Sequence, residues 1–421
     1  LSTGAATWNF AACQGGRNVR YFNYLQPEQE AGIFHVAPSH FTNRTPKEIL
    51  AYAVGAALYM PATRTAIVED IIDNKIKGLT SMVIDLEDAV GDHQVEQAEV
   101  SMLDQIYRLS SMIKLGAVNE ESIPLIFIRV RSPQQLKRMI TIFEEATELI
   151  TGFMLPKFSL SNGQQYLEII QSYNHTKPLS FPTLYGLPIL ESSDVIYKEE
   201  RYQTLTALRQ LIAQYRDYIL NIRIGATDFS SLFGLRRSPD MTIYDISVIR
   251  DCITDIINFF GRAEDGYVIS GPVWEYFKSD RVLKPQLRQT LFEETAGRVG
   301  RKRRMEILNR YVDGLIREIA MDKENGIIGK TIIHPTHILP VQSLYVVTHE
   351  EFMDALSIID NNTGMLGVFK SKYSNKMNEV KPHLNWAQRM LARARVYGVL
   401  QENVNFTTLL LGEKEHEQIL I

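Results

Sequence analysis

The sequence predicts an α/β fold: a (β/α)8 TIM barrel with an N-terminal arm and a C-terminal helical extension. Three observations lead there. Eight apolar runs of strand length recur between residues 57 and 334. Amphipathic stretches of helical period separate them, giving the strand–helix alternation of a barrel. No Gly-rich phosphate fingerprint follows the first run, which counts against an open doubly wound sheet.

The runs are Ala57–Pro61, Ser81–Leu86, Pro124–Val130, Gly152–Pro156, Gly186–Leu190, Ile222–Ala226, Tyr267–Ser270 and Lys330–His334. Between them, Gln134–Glu148 places Leu136, Met139, Ile140 and Phe143 at helical spacing, and Leu205–Tyr218 does so with Leu205, Leu208, Ile212 and Tyr215. Residues 1–46 are weakly periodic and read as an arm that packs on something else. Residues 47–344 form the barrel, with a charged insertion at 275–325. Residues 345–421 carry helical patterns without a strand cycle and read as the extension.

Composition narrows the function classes. The chain has 421 residues, 45% hydrophobic and 22% charged, which excludes a disordered chain or a disulfide-stapled mini-protein. Forty-five Lys and Arg against 49 Asp and Glu give −4, with no global basic field for nucleic acid or an anionic membrane. Cys13 and Cys252 are too few for a disulfide framework or a four-thiolate zinc site. No apolar run approaches the ~20 residues that span a bilayer. With so few cysteines a reducing cytoplasm is the expected location, and residues 1–10 lack the pattern of a secretion signal. The sequence holds no H-E-x-x-H, no P-loop and no G-x-S-x-G elbow. The basic run Arg298–Arg304 reads as a solvated helix face, with a phosphate grip or RNA binding as alternatives.

In a barrel the C-terminal ends of the strands build the active site. The second run ends in Asp85, Glu87 and Asp88, with Asp85 and Glu87 on one side by alternation. Three carboxylates so close need cations nearby to stay ionised; the alternative for Asp88 is a cap on the following turn. The third run ends in Arg129 and Arg131. A strand-borne arginine suits a carboxylate or a developing enolate oxygen, or else a structural ion pair with the second-strand acids. Lys157, after the fourth run, reads equally as an exposed loop lysine. His334 reads first as a satisfied core histidine. Glu191 ends the fifth run and Asp228 follows the sixth. Two carboxylates on neighbouring staves repel unless one is protonated or both hold a hard divalent cation, and two carboxylates plus waters suit Mg²⁺. Gly225 leaves backbone room for a ligand.

These residues resemble a known family. Tyr59-Met60-Pro61-Ala62-Thr63-Arg64 and Val83-Ile84-Asp85-Leu86-Glu87-Asp88-Ala89-Val90 are similar to the opening of the citrate lyase β-subunit and HpcH/HpaI aldolase family. Ile128-Arg129-Val130, Leu155-Pro156-Lys157, Glu191, Gly225-Ala226-Thr227-Asp228, Gly329-Lys330 and Ile333-His334-Pro335 follow in the same order. The wording looks closest to bacterial C–C bond lyases of the TIM-barrel fold associated with tellurite-resistance and stress gene clusters. Ser270 stands before Gly271-Pro272 where the family often carries Asp, and Arg131 stands in place of its Asn.

The resemblance implies a Mg²⁺-dependent carbon–carbon lyase or aldolase, with Mn²⁺ as the alternative ion, acting on a 2-oxo or hydroxy acid or its coenzyme A thioester. Glu191 and Asp228 would hold the metal. Arg129, Glu87 and Asp88 would serve catalysis, and Arg64, Arg129, Gly225 and Ala226 would face substrate. A homo-oligomer is implied as well. The alternative reading is a catalytically idle or regulatory barrel that partners a stress-response complex.

Overall fold

The computed structural model describes residues 18–277, 313–364 and 367–410. Eight parallel strands form one sheet: β1 (Ala56–Pro61), β2 (Ser81–Asp85), β3 (Leu125–Arg129), β4 (Ile150–Leu155), β5 (Tyr185–Leu190), β6 (Ile222–Ile224), β7 (Ile269–Ser270) and β8 (Lys330–Ile332). Each pairs with its sequence neighbour, and β8 pairs with β1. A parallel bridge between Gly271 and Lys330 joins β7 to β8 and closes the barrel. β2 to β5 are buried throughout, as strands covered on both faces must be.

The sequence places the strands within a few residues, and the differences have local causes. The sixth run stops at Ile224, because Ala226 opens the helix Ala226–Leu232. Asp228 therefore sits in a first helical turn. The expected helix Gln134–Glu148 is α-helical over Pro133–Phe143, N-capped by Ser132, and continues as a 3₁₀ turn over Glu144–Leu149.

The arm and the C-terminal region meet at the N-terminal end of the barrel. Strand Phe34–Val36 pairs antiparallel with Val399–Leu400. Tyr21, fully buried, stacks on Tyr397 with ring centroids 4.6 Å apart and donates its hydroxyl to the carbonyl of Ala53. A Cβ on Gly55 would lie 1.9 Å from that hydroxyl, and Gly55 has φ +45°, so only glycine fits there. Beyond β8 come the helices Ile338–Tyr345, His349–Asp360 and Val380–Tyr397. No helix of the described residues is long and apolar enough to cross a membrane.

Within the stretch expected as an insertion, Asp313–Glu324 is a helix packed on the barrel wall. It carries a buried ionic network that the sequence did not announce. Lys330 Nζ lies 2.8 Å from Glu318 and 2.8 Å from Asp322, all three fully buried. Tyr244 donates to Asp322 at 2.6 Å, and Arg237 pairs with the other oxygen of Glu318. Breaking a buried pair by removing one partner leaves an uncompensated charge and costs ~3–5 kcal/mol. Lys330→Met is therefore expected to lower unfolding stability by about that amount, read from the denaturant midpoint; a change within error would show the network to be dispensable.

Candidate active site

The C-terminal ends of β2 to β6 carry a dense set of charges. At the end of β3, Arg129 is held bidentately by Asp85: Nε donates to Oδ1 at 2.7 Å and Nη2 to Oδ2 at 2.6 Å. Register places these two residues side by side on adjacent strands. Asp85 also accepts the backbone N–H groups of Glu87 (2.9 Å) and Ala89 (3.2 Å), so its carboxylate shapes the loop that follows β2. Nη1 of Arg129 donates to Asp88 at 2.9 Å and lies 2.8 Å from Glu87. Burial opposes the guanidinium charge, but the hydrogen bonds and charge of Asp85 win, and its pKa is raised. The Arg129 guanidinium lies 5.2 Å from the Tyr59 ring centroid.

Arg131 has another role. It donates to the carbonyls of Leu86, Glu87 and Val90 and pairs with Asp92, clamping the loop that carries Glu87 and Asp88.

Lys157, whose sequence context equally fits an exposed loop lysine, belongs to the cluster. Its ammonium donates to Glu87 and lies 3.9 Å from Asp228 and 4.0 Å from Asp88. Its backbone N–H donates to Glu191 at 2.7 Å. The residue has φ +47°, a left-handed conformation that a lysine adopts at a cost of ~1–3 kcal/mol when the surroundings demand it. A lysine after a Pro at a strand end was the available signal. Its weight depended on Glu87 reaching across from β2, which spacing does not reveal.

Glu191 is buried, and Gly225 packs directly on it: a Cβ there would lie 2.1 Å from Glu191 Oε2. Any side chain at position 225 would displace this carboxylate. Burial, reinforced by the charge of Asp228, pushes Glu191 up to about 8 despite the Lys157 N–H. Asp228 is partly exposed. Burial raises Glu87 as well, against the pull of Arg129 and Lys157. At Asp88 burial acts upward, but Arg129 outweighs it with help from the Glu87 contact and Lys157, and the pKa falls.

Arg64 pairs at 2.6 Å with buried Asp70, on the helix Ile67–Ile72, rather than with the acids of the rim. Ala226 presents its carbonyl to the Ser230 hydroxyl inside the helix. His334 is not a core histidine: it is half-buried, caps the turn Pro335–His337 and stacks on Phe277 at 4.7 Å. His337 takes the buried place, and burial lowers it to about 4. Cys13 and Arg298–Arg304 lie outside the described residues.

Among the described residues, no three His, Cys, Asp or Glu side chains converge to hold a metal on their own. The pair Glu191 and Asp228 still fits a hard cation. One member is buried and cannot keep its charge beside the other without positive charge, and Mg²⁺ needs only one or two carboxylates because it retains waters.

A parallel barrel with converging ionisable groups at its C-terminal mouth defines an enzyme of the TIM-barrel class. Residues 48–399 match the family described as C–C bond lyase of the TIM-barrel fold, and the chain belongs to that family. No curated protein matches the sequence. Among solved structures, a citrate lyase from Burkholderia xenovorans LB400 is 14% identical, with 84% of this chain and 95% of that one covered at a TM-score of 0.55. The likeness supports the fold. CitE from Mycobacterium tuberculosis, in complex with magnesium, acetoacetate and coenzyme A, is 18% identical over 82% of this chain and 99% of that one, with a TM-score of 0.47.

Glu191 also has a thermodynamic signature. A carboxyl raised on folding contributes stability that is present below its unfolded pKa and lost as pH rises through the folded one. In metal-free protein, the melting temperature should fall between about pH 4.5 and 8, and Glu191→Gln should flatten that decline. Parallel pH profiles of wild type and variant would refute the shift.

Proposed function

We propose that the chain is a Mg²⁺-dependent lyase that cleaves or forms a carbon–carbon bond of a 2-oxo or hydroxy acid, or of its coenzyme A thioester, through an enolate. The supporting observation is the pairing of buried Glu191 with Asp228, a carboxylate pair that calls for a cation at the barrel mouth. Bound there, Mg²⁺ would act as a Lewis acid and neutralise charge that develops on substrate oxygen.

The chain's own residues supply the rest. In the cleavage direction a hydroxyl proton passes to a base, the carbon–carbon bond breaks, and its electron pair moves onto the enolate oxygen. A proton then returns to the enolate carbon. Glu87 is suited to the proton transfers, because burial lifts its carboxyl above the ordinary range while Lys157 fixes its position. Arg129, held rigid by Asp85 and Asp88, presents a fixed positive charge to the enolate. Gly225 keeps the backbone close to Glu191. Asp88 orients Arg129 and stays ionised.

Glu191→Ala and Asp228→Ala should each abolish Mg²⁺ binding in calorimetry while the circular dichroism spectrum is kept. Unchanged affinity in both variants would defeat the metal assignment. Arg129→Met should reduce kcat by about 10²–10³, the size of one oxyanion donor. Steady turnover of a 2-oxo acid or acyl-CoA by the isolated chain would exclude the idle-barrel alternative.

A further inference from the structure

Away from the mouth, where the arm meets the C-terminal helices, two imidazoles stand together that the chemistry above does not use. His35 is the middle residue of the strand Phe34–Val36, where alternation buries Phe34 and leaves His35 exposed on the opposite side. His349 opens the helix His349–Asp360 and is half-buried. The start of that helix is fixed by a reciprocal pair of hydrogen bonds. Glu351 donates its N–H to the Thr348 hydroxyl at 3.1 Å, and Thr348 donates its own N–H to the Glu351 carboxylate at 2.9 Å. The two rings thus come from opposite flanks of the barrel sequence, one before β1 and one after β8. Their centroids lie 4.6 Å apart with the ring planes at 82°.

The surroundings of this pair favour a metal ion. Nδ1 of His349 lies 2.5 Å from the Tyr373 hydroxyl. That hydroxyl gives its proton to the Glu402 carboxylate, which as an ionised group only accepts. The Tyr373 oxygen is then left to accept from Nδ1–H, and the free lone pair of His349 falls on Nε2. Fixing an imidazole through its other nitrogen is how proteins prepare a metal-ligating histidine. Among the described residues no hydrogen bond engages the His35 ring, whose ring neighbours are His349 and Phe352. Partial desolvation, together with the adjacent His349, holds His35 below the usual histidine range, so a nitrogen lone pair stays available. With N–metal bonds of about 2.0–2.1 Å, two imidazoles on one ion have centroids about 4.5–5.2 Å apart for angles from a right angle to the tetrahedral one. The observed 4.6 Å falls in that interval. No third His, Cys, Asp or Glu completes the pair among the described residues, so waters would fill the remaining positions.

We infer that His35 and His349 form a site for a first-row transition-metal ion such as Zn²⁺, and that the bound ion ties the N-terminal arm to the C-terminal helices. The donors set this site apart from the mouth of the barrel. Imidazole nitrogen suits Zn²⁺, Ni²⁺ and Cu²⁺, whereas Mg²⁺ takes oxygen. The inference therefore stands independently of the lyase reading.

The test is calorimetric titration of Zn²⁺ into the untagged full chain with Mg²⁺ in excess, so that oxygen donors are already engaged. Wild type should bind one Zn²⁺ per chain, and its melting temperature should rise as the ion is added. His35→Phe and His349→Phe each keep a ring in the contact and remove its nitrogens. Each should weaken Zn²⁺ by tenfold or more and lose the thermal shift while keeping the circular dichroism spectrum. Tyr373→Phe, which releases the His349 tautomer, should weaken Zn²⁺ about tenfold. A second probe needs no variant: the electron paramagnetic resonance spectrum of wild type with one equivalent of Cu²⁺ should show two imidazole nitrogens on the ion. Absence of one-to-one Zn²⁺ binding in wild type would overturn the inference. So would undiminished affinity in either Phe variant, or a Cu²⁺ spectrum with fewer than two nitrogens.

Discussion

Charge neutralisation at the barrel mouth is the constraint on which the site depends. Asp85, Glu87, Asp88, Glu191 and Asp228 converge from β2, β5 and the start of the helix after β6. Arg129 and Lys157, from β3 and β4, stand between the two acidic groups. Arg129 is committed to the β2 acids by hydrogen bonds to Asp85 and Asp88. Lys157 spans the divide, with its ammonium on Glu87 and its backbone N–H on Glu191. Around the rim the signs therefore run acid, base, base, acid, acid. The last two meet with only the distant reach of Lys157 between them. The protein's own cations satisfy the first half of the rim more fully than the second, and Glu191 shows this by resisting ionisation.

The strands were legible because parallel barrel strands are buried on both faces and read as continuous apolar runs. Their polar ends were legible because charge following such a run has few structural uses. Asp85, Glu87, Asp88 and Arg129 do come together, and Glu191 does lie against Gly225. Pairwise commitments across staves were not legible. Lys157 gains its place from Glu87, about 70 residues earlier in the chain, and Arg64 is drawn away by Asp70, six residues later, where a helix turn brings it within reach. Arg223 sat inside an apolar run, with nothing in the local pattern to distinguish an inward from an outward side chain. The Lys330–Glu318–Asp322 network was hidden by reading residues 275–325 as a single charged insertion. Within that stretch, Glu318 and Asp322 are four residues apart on one helical face, which is the spacing that lets both reach Lys330.

The two ends of the barrel are specialised by different physics. At the N-terminal end the stacked Tyr21 and Tyr397 and the pairing of Phe34–Val36 with Val399–Leu400 join both flanks of the chain to the barrel. Aromatic burial of this kind adds stability with little need for exact charge balance. At the other end the polar side chains are tied to one another by hydrogen bonds and ion pairs. Arg131 exemplifies this, spending its donors on three carbonyls of the Asp88 loop while making no contact with the other cations.

That division explains why Arg223 and Lys330 differ although both are buried cations on barrel strands. Lys330 turns toward the helix Asp313–Glu324, where two acids await it, so its charge is neutralised by the fold itself. Arg223 turns inward, toward Tyr59 and Thr331, where the fold supplies hydroxyls and no acid. Ser270, beside Arg223 in the register, is fully buried and donates its hydroxyl to the Ile328 carbonyl at 2.9 Å. The barrel keeps the uncompensated form.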